Sequence, residues 1–280
     1  MAPLTPRRRP LSCHPRVLAW TTILQRRLPD LSKPPATVLA LGSLGRVRAR
    51  SCALTAVSPL LATWRHRNAG AVRQQVRECC YEATAQRGPA RPAWVVETGL
   101  VPLLAGVVDQ GEGTPMALAL AATTLGARCT VLALSVVSRG WASPVAWPVL
   151  AATATHAWRR EWLRMRRQGH RALPRSWTVL VLADRGLSAR WLFRRLTRLG
   201  WHPFVRLNPG GPFRPTGPGQ GVALQTLGPA PGTTGRGTGS AFTGRHRPLP
   251  CTLLACGETG YKDPWWLLTD LPPEARTAGW

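Results

Sequence analysis

Residues 178–208 run in close order through a strand, a tight turn, an amphipathic helix and a second strand. Residues 178–183 are apolar and β-branched, and Asp184, Arg185 and Gly186 turn the chain. Residues 187–199 then place Leu192, Leu196 and Leu199 on one helical face, and residues 203–208 return to strand texture. A strand, helix and strand in that order join parallel neighbours, and a parallel sheet is covered on both faces. The unit sets the fold class as α/β.

Its surroundings extend the pattern. Residues 116–121 and 130–137 are short apolar runs bounded by glycine or arginine turns and predict buried strands, with 143–149 as a third. Residues 154–167 predict a helix with Trp158, Trp162 and Met165 on one face and arginines over the rest. Upstream, Val17, Leu18, Ile23, Leu24 and Leu28 keep helical spacing, as do Val38, Leu39, Leu41 and Leu44. Further helices are predicted near 52–64, 70–84 and 97–109, separated by breaks at Pro34-Pro35, 68–70 and 88–92. An all-α N-terminal domain over 16–112 is expected, after a poorly ordered Pro/Arg tail at 1–15.

Residues 209–250 are nearly half glycine and proline. They read either as a disordered linker or as a β-rich insertion in which 222–227 and 240–243 form short strands. Strands resume at 251–256 and 265–269, and Leu271-Pro272-Pro273 opens a helix that stops within one turn at Trp280.

Charge narrows the function classes. Lys and Arg number 37 against 12 Asp and Glu, a net charge of +25, and all the basic residues but Lys33 and Lys262 are arginine. That surplus points to a polyanionic partner, foremost nucleic acid, over a bare compositional preference for arginine. So few carboxylates exclude an acid-rich metal cage. The seven cysteines are never spaced C-x2-C, which speaks against zinc and for free thiols in a reducing cytosol. Arg7-Arg8-Arg9 has no apolar stretch behind it, so no secretory signal is read. Arg128 and Arg139 interrupt the apolar stretch 116–154, so no membrane span is read either.

Asp184 is the sharpest candidate site residue. It ends a buried strand, where α/β sheets place their ligands, and it suits a hard cation such as Mg²⁺. The competing reading is an N-cap for the following helix. The glycine clusters at 217–221 and 235–239 neither follow a clear strand nor open a helix, and read as loops. His156, His170 and His202 read as solvated or packing residues, and Trp265-Trp266 as core rather than a base-stacking pair. The arginine faces of 159–167 and 190–198 contain a single acid, Glu161, and favour a phosphate-facing surface.

Motifs in order along the chain carry a resemblance: 135–140 (SVVSRG), 144–147 (PVAW), 157–162 (AWRREW), 182–187 (LADRGL) and 199–203 (LGWHP), with 118–126 (LALAATTLG) before them and 251–255 (CTLLA) and 263–273 (DPWWLLTDLPP) after. Together they resemble bacterial insertion-sequence transposases of the DDE class, in the group named after insertion sequence 4. The resemblance implies an RNase H-like mixed sheet with flanking helices over 113–280, incomplete at its C-terminus and interrupted by an insertion at about 209–250. The helical domain before it would contact DNA or a partner subunit. It further implies Mg²⁺-dependent cleavage and strand transfer of DNA, with three carboxylates holding two metals.

Asp184 matches the second acid and would be a metal ligand. Ala121 stands where the family has its first acid, and the third belongs to a helix motif expected just after Trp280. Asp109, Glu112 and Asp270 are the acids that could substitute, each poorly placed. Arg185, Arg159, Arg160, Arg164, Arg190, Arg194 and Arg206 are the candidate DNA contacts. The expected partners are element ends, target DNA and either a second copy or a full-length transposase, in the bacterial cytoplasm on the nucleoid. The chain is expected to be catalytically inactive. The alternatives are a truncated DNA-binding regulator of transposition and a non-catalytic basic nucleic-acid-binding protein.

Overall fold

Apolar residues at helical spacing organise the first part of the chain into α1 (Pro15–Arg27), α2 (Lys33–Ala49), α3 (Leu54–Arg65) and α4 (Ala69–Glu78). The computed structural model describes residues 14–79, 81, 83–85, 96–109, 115–138, 140–154, 158–218, 220–242, 248–260 and 263–275. It divides the chain into two units, 1–103 and 104–280, the division falling inside α5 (Leu100–Val108). Most of the Pro/Arg tail lies outside the described residues, but Pro15, assigned to it from sequence, opens α1. Pro34-Pro35 marks the break between α1 and α2 from the far side of it. It occupies the first turn of α2, where an amide hydrogen has no intrahelical partner to lose. Val17, Leu41, Val57, Leu61 and Val72 are fully buried together in the core of this unit.

In the second unit every strand among the described residues joins one mixed sheet. The strands are β1 (Met116–Leu125), β2 (Cys129–Ser138), β3 (Trp141–Ala146), β4 (Val149–Ala151), β5 (Val179–Ala183), β6 (Trp201–Arg206), β7 (Pro212–Pro215), β8 (Val222–Ala223), β9 (Thr234–Ala241), β10 (Leu249–Cys256) and β11 (Trp265–Thr269). The order is β3-β2-β1-β5-β6-β11-β10-β9-β7-β8, with β4 also paired to β2. β5 runs parallel to both β1 and β6, and the other pairings are antiparallel. The class read from sequence, mixed α/β, is the class observed.

Alternation along the strands gives the sheet two faces. Leu118, Leu134, Val181, Val205 and Leu268 share one face through the register and are all but inaccessible. α6 (Trp158–Ala172) and α7 (Arg190–Thr197) lie on this face, where Gly169 of α6 sits close against Trp201 and Leu134. A Cβ there would lie 3.2 Å from the Trp201 ring, so the ring would have to give by a few tenths of an ångström. The other face is less covered and leaves Leu182 37% and Trp265 36% exposed.

Several boundaries differ from the sequence reading; the helix expected at 70–84 ends at Glu78, the one expected at 154–167 runs Trp158–Ala172, and 222–227 is the short strand β8 followed by a 3₁₀ turn. The helix expected at 187–199 is a 3₁₀ turn at Arg185–Leu187 followed by α7, with a break at Ser188-Ala189. The strand expected at 143–149 is two strands, β3 and β4. Residues 271–275 form turns rather than a helix start, and 276–280 lie outside the described residues.

Of the two readings of 209–250, the folded insertion is the one observed. β7, β8 and β9 extend the sheet beyond β10, and Phe213 and Leu224 are buried beneath it. β9 reads TGRGTGSA, so one of its faces carries glycine at 235, 237 and 239. A Cβ on Gly239 would overlap the Arg214 carbonyl oxygen and the Phe213 ring, whereas none on Gly237 would meet anything within 4 Å. The bare strip is what lets Phe213 lie against the sheet.

Gly239→Ala should therefore lower stability by about 1–3 kcal/mol through overpacking. Gly237→Ala should stay within about 0.5 kcal/mol; paired thermal melts check both. Burial pushes the Cys251 thiol up to about 11, against a smaller opposing effect of a backbone hydrogen bond at Ala241. At pH 8 Cys251 is thus protonated as well as covered, while Cys52 is exposed. A thiol reagent at pH 8 should label Cys52 in the native protein and Cys251 only after denaturation, read by peptide mass spectrometry.

Candidate functional site

The carboxyl ends of β5 and β6 meet beside the middle of β1, which runs on to Leu125. The β1–β5 register runs to Leu120 opposite Ala183, and the β5–β6 register to Ala183 opposite Val205. One residue further, Ala121, Asp184 and Arg206 stand side by side, with neighbouring strands about 5 Å apart. Ala121 is exposed, and the Asp184 side chain is 72% exposed. Both continue the strand alternation onto the less covered face, away from α6 and α7.

Asp184 precedes the 3₁₀ turn at Arg185–Leu187 in an extended conformation, with φ −76° and ψ 171°. Its side chain makes no capping hydrogen bond. The backbone carbonyl alone accepts, from the Leu187 amide at 2.9 Å. The N-cap position is thus occupied but the carboxylate is not used for it. Its charged neighbour is Arg206, whose Nη1 lies 3.8 Å from Asp184 Oδ1. The Arg206 guanidinium in turn sits 4.0 Å from the centre of the Trp265 ring, a cation–π contact across β6 and β11. Its Nε is buried without a hydrogen-bond partner. Trp266 is 3% exposed and belongs to the core; Trp265, read from sequence as core too, is the one that holds the arginine.

The other acids lie elsewhere. Asp270 follows β11, and the β6–β11 register sets it level with Pro203, three residues from the level of Arg206 and so about 10 Å along the strands. It accepts a hydrogen bond from His202 Nδ1 at 3.1 Å, a pairing of residues 68 apart that no local pattern announces. Asp109 follows α5, and Glu112 lies outside the described residues. Among the described residues no three His, Cys, Asp or Glu side chains gather where they could hold a metal ion. The residues at the Asp184 edge do not fit a two-metal centre. They supply one carboxylate, one methyl group and a guanidinium whose positive charge opposes a cation.

The candidate DNA-contact arginines fall into separate places. Arg206 shares the face of Asp184, and Arg185 begins the 3₁₀ turn beside it. Arg159, Arg160 and Arg164 are on α6, and Arg190 and Arg194 on α7, across the sheet. Arg159 stacks over Trp191 at 5.2 Å, and Arg164 Nε pairs with Glu161 at 2.8 Å. No protein-family model matches the chain, and no curated protein matches it.

If the Asp184 carboxylate has no structural duty, Asp184→Ala should change stability by less than about 0.5 kcal/mol. A working N-cap would cost about 1 kcal/mol instead. Denaturant melts of the two proteins decide between the roles.

Proposed function

We propose that this chain is a DNA-binding protein of the DDE transposase type, built on an RNase H-like sheet, which holds DNA without cutting it. One observation carries the reading. The order β3-β2-β1-β5-β6, with β5 parallel to β1 and β6, puts Asp184 at a strand end beside the position that the motif at 118–126 assigns to a partner acid. In such a centre, carboxylates on adjacent strands share a metal that stabilises the attacking and leaving oxygens of a phosphodiester. Here Ala121 contributes a methyl group, and Arg206 lies beside the remaining carboxylate.

What the edge still offers is recognition. Arg206 is a fixed cation on an aromatic platform, suited to a phosphate oxygen, and Arg185 adds a second positive charge. The ends of a mobile element are the proposed DNA partner, with a full-length transposase or a second copy as protein partner and the bacterial nucleoid as location. Mg²⁺ belongs to the reaction of the family rather than to the residues at this edge. No helix among the described residues is long and apolar enough to cross a membrane.

Ala121→Asp should restore a pair of carboxylates on adjacent strands and strengthen Mn²⁺ binding by roughly tenfold or more, measured by calorimetry. Asp184→Ala in the same background should remove the gain. Equal Mn²⁺ affinity in all three proteins would show that the two positions do not form a metal edge. The unmodified chain should not nick element-end DNA with Mg²⁺ or Mn²⁺; robust turnover lost in Asp184→Ala would overturn the non-cutting part of the reading.

A further inference from the structure

The sequences of α6 (WRREWLRMRRQGHRA) and α7 (RWLFRRLT) contain one acid between them. A solvated helix face ordinarily mixes carboxylates among its cations, because like charges three and four residues apart repel. Glu161 offsets only Arg164, at 2.8 Å. Two contacts bring the helices side by side: the Arg159 guanidinium lies over the Trp191 ring at 5.2 Å, and Arg166 Nη1 donates to the Arg195 carbonyl at 3.1 Å. Their basic rows form one surface. Partial burial, and then the charges of Arg195 and Arg167, hold the Arg166 guanidinium below its ordinary pKa.

Of the exposed members, Arg160, Arg167, Arg194 and Arg195 pair with no carboxylate among the described residues. From Arg160 to Arg171 the α6 row is about 16 Å long. That length matches about five base-pair steps of a duplex. No large exposed hydrophobic residue lies on either helix, so the apolar centre that a protein interface requires is missing. Arginine, rather than lysine, also favours phosphate through its paired donors.

We propose that the joined outer surface of α6 and α7 docks the phosphate backbone of duplex nucleic acid, on the side of the sheet opposite Asp184. The surface reads charge and shape rather than sequence. It is separate from the Asp184 edge and does not depend on the role assigned there, so the chain presents nucleic acid with two surfaces facing in opposite directions.

The test uses the full chain and a labelled duplex of arbitrary sequence, with binding followed by fluorescence anisotropy over a salt series. Each phosphate contact contributes about 0.9 to the slope of log affinity against log salt. Replacing Arg160, Arg167, Arg194 and Arg195 together by glutamine should reduce that slope by roughly two to four, and Arg206→Gln by at most about one. The double variant Arg160→Gln/Arg167→Gln should give a proportionate part of the loss, should the fourfold variant prove unstable in a melt. An unchanged slope in folded variants overturns the proposal. So does displacement of the duplex by polyglutamate as efficient, charge for charge, as by unlabelled duplex, which would make the partner an acidic protein. A second duplex carrying any inverted repeats found on either side of the gene separates the two readings. Loss of slope without preference for the repeats leaves this surface standing and the proposed transposase role refuted. Preference for the repeats with an unchanged slope does the reverse.

Discussion

Parallel pairing of β5 with both β1 and β6 holds the ends of β5 and β6 level with Ala121 in the middle of β1, and the second unit is arranged around that alignment. Parallel strands need crossovers, and the crossovers here are α6 and α7, which must lie on the sheet and bury an apolar face. Alternation then does the rest: Val181, Ala183 and Val205 point under the helices, while Asp184 and Arg206 point away. A shift of one residue in either pairing would exchange those sets, placing a carboxylate in the core and a valine at the edge. The apolar side therefore locks the position of the polar one.

Electrostatics divides the molecule along the same plane. On one face a single carboxylate sits beside an arginine anchored on Trp265; the ion pair, with Asp184 largely exposed, is worth about 0–1 kcal/mol. On the other, arginines outnumber acids so far that their charge is left to solvent and salt. Neither surface gains much stability from its charges, and charge concentrated where it does little to stabilise the fold is charge available to a partner.

The insertion shows composition misleading when taken alone. Glycine and proline in 209–250 lower the intrinsic preference for regular structure, yet Gly239 is where a Cβ would strike Phe213 and the Arg214 carbonyl. Here glycine serves close approach of backbone and ring, not flexibility. Pro212 and Pro215 fall in the short strand β7, which has β8 on one side and β9 on the other.

Local signals carried much of this protein. The apolar runs that became β1, β2, β5 and β10, the amphipathic stripe of α6 with Trp162 and Met165 inward, and Asp184 at a strand end were all legible, because strand and helix periodicity are written in neighbouring residues. What the chain could not show locally were contacts between distant segments: Arg206 on Trp265, His202 on Asp270, Arg159 on Trp191, and Phe213 over Gly239. Nor could it show that the arginines of α6 and α7 face away from Arg206, since a residue's face depends on which strand pairs with which. By itself the sequence determined the α/β class, the surplus of positive charge and the scarcity of acids. Only the tertiary structure decided which charges share a surface, because strand register and crossover packing act between residues that the chain keeps far apart.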